Sequence, residues 1–142
     1  MMQRIFIDSS VLFTAANSEK GHSHDLMLIS AAGKLTLVLS DFVLEETRRN
    51  LALTQPGLTV LERIIREARI EIVSVTRKQV LDAMKWIVPK DAPILAATKA
   101  AQVDMLVSLD KKHILDHPKL ETYINAPILT PAEAFQKLKA QP

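Results

Sequence analysis

No cysteine occurs among the 142 residues. That excludes thiolate zinc sites, thiol nucleophiles and disulfide frameworks, and it fits a reducing compartment. Glycine is scarce, with three in all. Neither G-x-G-x-x-G nor G-x-x-x-x-G-K-[ST] is present, which excludes the Gly-rich phosphate cradles. No apolar run reaches the roughly 18 residues a membrane-spanning helix needs. Residues 1–8 follow a strand pattern and not that of a signal peptide. The expectation is a soluble, cytoplasmic protein with no membrane partner. A formal net charge of +2 is close to neutral, so charge alone does not announce a nucleic-acid binder. No repeat, low-complexity stretch or linker interrupts the chain, so residues 1–142 are expected to form one domain. A chain of this length buries roughly two-thirds of its unfolded surface and needs neither disulfide nor metal to fold.

What is present begins with Arg4-Ile-Phe-Ile-Asp-Ser-Ser-Val11. Ile5, Phe6 and Ile7 read as a buried strand, and a helix is expected over 11–16. Two readings of Asp8 stand side by side. It caps the next helix, or it lies at a strand's C-terminal end, where open α/β sheets bind ligands. Residues 17–24 are polar and read as a loop. Residues 25–32 carry apolar positions at helical spacing, with Gly33 as C-cap. A second strand is expected over 35–39. Ser40 N-caps a helix whose inward face is Val43, Leu44, Thr47 and Leu51. Gln55-Pro56-Gly57 marks a break. A helix follows over 58–68, then a strand over 70–75 and a helix over 77–87 that stops before Pro89. Asp91 opens a small-residue helix over 92–101. A fourth strand spans 105–109, a short helix 111–117 and a fifth strand 126–129. Thr130-Pro131-Ala132-Glu133 is a capping box that starts a final helix to about residue 140. Strand–helix alternation predicts a three-layer α/β/α sandwich with a central parallel sheet of four or five strands.

The acids form a pattern on that frame. Asp8 and Asp110 each follow an apolar strand, Asp91 opens a helix, and Glu46 lies in the helix after the second strand. In a parallel sheet, strand C-termini and helix N-termini share one edge. The four can therefore converge there, and carboxylates gathered without cationic partners repel one another unless a cation joins them. Oxygen-only ligands suit Mg²⁺ or Mn²⁺. Asp104 begins its strand, so it belongs to the opposite edge as a turn or cap.

At these residues the chain resembles the PIN-domain nucleases. Asp8-Ser9-Ser10-Val11 is similar to the family's opening motif. Ser40 followed by Glu46, with Arg48 and Arg49 after it, resembles the second. Asp91 with Ile94, Ala96 and Ala97 resembles the third, and Asp104-Met-Leu-Val-Ser-Leu-Asp110 the fourth. The resemblance spans residues 4–114. It implies a metal-dependent nuclease acting on RNA, with Asp8, Glu46, Asp91 and Asp110 as the catalytic, metal-binding acids and Mg²⁺ or Mn²⁺ as the ion. It also implies a toxin paired with an antitoxin protein, and a homodimer through helical surfaces. Ser108 would orient a carboxylate. Ser9 would do the same or start its helix. The spacing from Ser40 favours Glu46 over Glu45 as the site acid.

Other residues carry weaker signals. Arg48, Arg49, Lys90, Lys111 and Lys112 flank the cleft in sequence and could neutralise RNA phosphates, although such residues usually sit on solvated faces. His22 and His24 form an H-x-H pair without a third ligand nearby. For His113, a surface or packing role outweighs a substrate contact. Two other enzyme classes also place acids at strand ends. Haloacid-dehalogenase-type phosphohydrolases need a second Asp where Ser10 stands, and a receiver domain needs an Asp after its third strand, where residues 74–76 supply none. Two alternatives within the resemblance remain: an RNA-processing PIN nuclease outside a toxin–antitoxin system, and a non-catalytic PIN-like binding or regulatory protein; non-catalytic members usually lose an acid, and all four are present here.

Overall fold

The computed structural model describes residues 2–53 and 57–140. Gln55 and Pro56, part of the expected break between helices, lie outside the described residues. The elements run β1 (Arg4–Ile7), α1 (Ser9–Asn17), α2 (His22–Ala31), β2 (Thr36–Ser40), α3 (Asp41–Leu51), α4 (Gly57–Glu67), β3 (Glu71–Val73), α5 (Arg77–Ala83), a 3₁₀ turn (Pro89–Asp91), α6 (Ala92–Ala101), β4 (Met105–Val107), a wide turn (Lys111–Leu115), α7 (Lys119–Ile124), β5 (Ile128–Leu129) and α8 (Pro131–Lys139).

The five strands form one sheet in the order β3-β2-β1-β4-β5, and every pair is parallel. β1 is central because Ile5, Phe6 and Ile7 are fully apolar and need cover on both faces. All three are 0 % exposed, as are Met105, Leu106 and Val107 of its neighbour β4. The outer strand β3 leaves Ile72 exposed instead. From β1 the chain steps outward through β2 to β3, then returns across the sheet to β4. Right-handed crossovers put helices of the two directions on opposite faces. Accordingly α1 packs with α2 and α4, and α2 with α8, while α5 and α7 pack on α6. The architecture is the expected α/β/α sandwich.

Local rules account for much of this. Ser40 accepts from Val43 N at 3.1 Å, and Val43, Leu44, Thr47 and Leu51 are the buried residues of α3. The Thr130/Glu133 capping box forms in both directions, and Thr76 with Gln79 makes another at α5. The departures also have local causes. α2 starts at His22 and not at residue 25; its N-cap is Gly21 at φ +96° with no side-chain cap, so the usual start signal is missing. The expected helix over 77–87 ends at Ala83 and continues as turns. α7 has no start signal in the sequence. It has Pro118 at its N-cap without a side-chain bond, and it forms because Leu120, Tyr123 and Ile124 are buried.

Candidate active site

The sheet reverses its winding direction between β1 and β4, and open α/β sheets bind ligands at that switch point. Ile7 pairs with Val107 in the register, and Asp8 N donates to Val107 O at 3.2 Å. This sets Asp8 beside Ser108 and brings Asp110 to the same edge.

Asp8 both caps α1 and lines the cleft. Its Oδ1 accepts from Ser10 N at 3.0 Å and Val11 N at 3.3 Å, and from the Ser10 hydroxyl. Its Oδ2 accepts from the Ser108 hydroxyl. The two serines also tie the strand ends together: Leu109 N donates to Ser10 Oγ at 3.1 Å, and Asp110 N to Ser108 Oγ at 3.0 Å. Burial pushes the Asp8 carboxyl above its ordinary range, opposed by these donors. The two sequence readings of Asp8 are therefore compatible.

Glu46 is half-buried on the cleft side of α3 and accepts from the Ser9 hydroxyl, while Glu45 is exposed. Asp91 ends the 3₁₀ turn at the start of α6 but makes no side-chain cap bond there. Its side chain is 10 % exposed, and its Oδ2 is buried without a hydrogen-bond partner. Burial raises its pKa first; Lys90 then draws it down, Asp110 pushes it up, His113 draws it down and Glu46 pushes it up. Asp110 caps the wide turn through His113 N, 3.0 Å from Oδ1. Leu115 N reaches back five residues to Asp110 O at 2.9 Å, and Asp116 N to Lys111 O at 2.9 Å. This i→i+5 pattern, found where helices are widened at functional sites, replaces the short helix expected over 111–117.

Asp8, Ser9, Ser10, Glu46, Asn50, Lys90, Asp91 and Asp110 line one cavity of about 230 Å³. A larger cavity, about 570 Å³, lies between α5 and α6. Its acid, Asp82, accepts from Tyr123 Oη at 2.7 Å and pairs with Lys85 and Lys99, so it offers no gathering of unpaired acids.

Two residues that line the cleft, and a third beside it, have no assigned site role in the sequence. Ser10 is one, and the usual i→i+2 bonding of an Asp cap was its signal. Asn50 is the second; it lies four residues beyond Glu46 on the same helix face. The third is His113, whose Nδ1 lies 3.5 Å from Asp110 Oδ2 and 3.8 Å from Asp91 Oδ2. Asp91, Asp110 and His113 offer ligand atoms within 4.8 Å of one another, the one such group among the described residues.

The remaining candidates separate. Arg48 is turned to Glu62, with Nε and Nη2 at 3.2 and 3.0 Å from Oε1. Arg49, Lys90, Lys111 and Lys112 are exposed. His22 and His24 sit on α2 and not in a loop, two residues apart, so they face different directions; His22 packs on the Phe135 ring at 4.9 Å. Asp104 Oδ2 accepts from Arg4 N at 2.7 Å at the far edge of the sheet.

The fold has counterparts among solved structures. VapBC2 from Rickettsia felis, crystallised with a DNA fragment from their promoter, superposes with a TM-score of 0.62 at 17 % identity, covering 88 % of this chain and 96 % of that one. VapC20 of Mycobacterium tuberculosis, a sarcin–ricin loop cleaving toxin, gives 0.55 at 18 % identity over 76 % of this chain and 91 % of that one. No curated protein is a significant match in sequence. Residues 5–118 match the PIN domain, a span that takes in β1, α3, the start of α6 and the wide turn, and the chain belongs to that family.

Proposed function

We propose that the chain is a metal-dependent ribonuclease that hydrolyses RNA phosphodiester bonds and serves as the toxin of a toxin–antitoxin pair. The observation that carries this is the convergence of Asp8, Glu46, Asp91 and Asp110 on one cleft, with a buried Asp91 oxygen left unpartnered. Buried polar atoms are rarely left so without a ligand or water to meet them. The donor set fits a hard divalent ion. Asp91 and Asp110 would hold Mg²⁺ or Mn²⁺ most directly, with Asp8 and Glu46 completing the field. Such an ion supplies Lewis-acid stabilisation of phosphate charge and a water of lowered pKa.

The chain's own residues divide the remaining work. Ser10 and Ser108 lock the Asp8 carboxylate, and Ser9 orients Glu46. Preorganised ligands of this kind keep the site from rearranging as charge develops. Arg49, Lys90, Lys111 and Lys112 surround the cleft with exposed cations that can neutralise backbone phosphates. Arg48 is committed to Glu62 and contributes less. The toxin reading, with an antitoxin partner and a cytoplasmic setting, is supported by the VapC and VapBC folds that the chain resembles. No helix among the described residues is long and apolar enough to cross a membrane. Homodimerisation through helical surfaces is supported by exposed Leu58, Leu81 and Met84 on or beside α4 and α5. Sedimentation at tens of micromolar is expected to show dimer, and monomer alone counts against it.

The test is cleavage of single-stranded RNA with Mg²⁺ or Mn²⁺. Asp110→Asn is expected to lower the rate on the order of a hundredfold, the upper range for disturbing a metal site, and chelation is expected to stop cleavage. Undiminished cleavage by the mutant, or after chelation, overturns the reading.

A further inference from the structure

The ligand atoms in the cleft differ in how far they are already engaged. Both Asp8 oxygens accept hydrogen bonds, Oδ1 from Ser10 and Val11 and Oδ2 from Ser108. Glu46 Oε1 holds the Ser9 hydroxyl. Asp91 Oδ2 accepts no hydrogen bond, although its side chain is nine-tenths buried. Asp110 binds the His113 amide through Oδ1, which leaves Oδ2 facing the imidazole. His113 Nδ1 stands 3.5 Å from that oxygen and 3.8 Å from Asp91 Oδ2.

These separations decide between two arrangements. A closed imidazolium–carboxylate pair would show charge-assisted bonds of roughly 2.7–2.9 Å, and neither contact is that short. Ligands on one ion, each about 2.1 Å from it, stand roughly 3 Å apart when adjacent and 4 Å apart when opposite. His113 Nδ1 stands between those two separations from each carboxylate oxygen, at 3.5 and 3.8 Å, and the three residues offer ligand atoms within 4.8 Å of one another. The wide turn produces this spacing. Its i→i+5 bonds from Leu115 and Asp116 set the backbone from which His113 reaches across to Asp91 on a different element.

We propose that Asp91 Oδ2, Asp110 Oδ2 and His113 Nδ1 form a mixed nitrogen–oxygen cation site in which His113 selects Mn²⁺ and Zn²⁺ over Mg²⁺. This rests on the metal-dependent reading above and goes beyond a set of acids alone. Imidazole binds Zn²⁺ well and Mg²⁺ poorly, since Mg²⁺ favours oxygen and water; Mn²⁺, which also accepts oxygen ligands, lies between the two. The selectivity therefore resides in one side chain of the trio.

Calorimetric titration of MgCl₂, MnCl₂ and ZnCl₂ into the metal-free protein tests it, with wild type, Asp110→Asn, His113→Ala and His113→Asn compared. His113→Ala is expected to lose about tenfold or more in Mn²⁺ and Zn²⁺ affinity and little for Mg²⁺. His113→Asn, which offers an amide oxygen, is expected to bind Mg²⁺ as wild type does and Zn²⁺ weakly. Equal losses for all three ions, or none, overturn the selectivity. If wild type binds no ion, the metal-dependent reading falls as well. If Asp110→Asn weakens binding and the His113 variants discriminate nothing, only this proposal falls. A measurement on wild type keeps the test open should the variants not fold. In ¹⁵N imidazole spectra, Zn²⁺ is expected to shift His113 Nδ1 ahead of His22, His24 and His117, and an unmoved His113 overturns the site.

Discussion

The two edges of the sheet hold the same residue types and pair them differently. At the N-terminal edge, Arg4 of β1 forks onto Glu71 of β3, with Nη1 and Nη2 at 3.0 and 2.9 Å. It also reaches Ala101 O at 3.2 Å, and its own amide meets Asp104. Each acid there has a donor, and the bond from Arg4 pulls the Glu71 carboxyl below its ordinary range. At the C-terminal edge, burial holds Asp8 and Asp91 above theirs. Asp91 keeps an unpartnered oxygen. An acid's role is therefore set by what faces it and not by its place at a strand end. Carboxylates matched within the chain stabilise the fold, and carboxylates left unmatched keep the capacity to bind something else.

The sharpest way to break this contrast is to neutralise one acid at each edge. Asp110→Asn is expected to weaken ion binding and to lower RNA cleavage about a hundredfold, while Asp104→Asn leaves both within about twofold, as surface changes away from a site normally do. Equal losses in cleavage assays of the pair would erase the distinction.

Stability is the next lever. Asp91→Asn removes a buried charge that Asp110 and Glu46 oppose. Without metal it is expected to melt about 3 °C higher than wild type, what roughly 1 kcal/mol moves a chain of this size. Added Mn²⁺ should then raise wild type above the mutant. Glu71→Gln is expected to lose stability instead, by no more than about 1 kcal/mol because the pair is partly exposed. Calorimetric melts in which Asp91→Asn unfolds below wild type would contradict the crowding argument.

The pH dependence should also split between the edges. A carboxyl raised in the folded state keeps its proton after the unfolded chain has lost one. The stability associated with Asp8 and Asp91 is thus fully present below the unfolded value near 4 and falls as pH rises through their folded values. Glu71, lowered in the folded state, contributes above its unfolded value, and that contribution is lost as pH falls through its folded one. Metal-free denaturation from pH 4 to 7 is expected to show a stability decline that Asp91→Asn flattens. A slope unaffected by that substitution would exclude Asp91 as its source.

The smallest effect concerns the cations. Arg49→Ala is expected to weaken RNA binding and to reduce its salt slope by roughly one phosphate's share. Arg48→Ala, already paired with Glu62 at 3.0 Å, should cost about 0.5 kcal/mol of stability and leave the slope alone. Filter binding across a salt series separates the two.

Much of the fold was legible in the sequence because its determinants are local. The Ile5–Ile7 run, the inward face of α3 and the Thr130 capping box each depend on neighbours within a few positions. Two helices lack such a local signal: α2 has a glycine N-cap without a side-chain bond, and α7 is held by the burial of Leu120 and Tyr123. In the cleft, Asp8, Glu46, Asp91 and Asp110 were legible from strand ends, a helix start and the spacing from Ser40. His113 was not, because nothing in Asp110-Lys-Lys-His113 tells an ordinary helical turn from a widened one.

The sequence by itself determined the alternation of strands and helices, the burial of β1 and β4, and the acids that stand at their ends. Tertiary structure alone decided that β1 lies between β2 and β4, which sets Asp8 against Ser108 across 100 positions of chain. It also decided that Asp104 finds Arg4 while Asp91 finds no donor for its buried oxygen. The physical reason is range. Periodicity and capping act over a few residues, whereas the meeting of distant side chains follows from crossover handedness and strand register, which exist only once the sheet has formed.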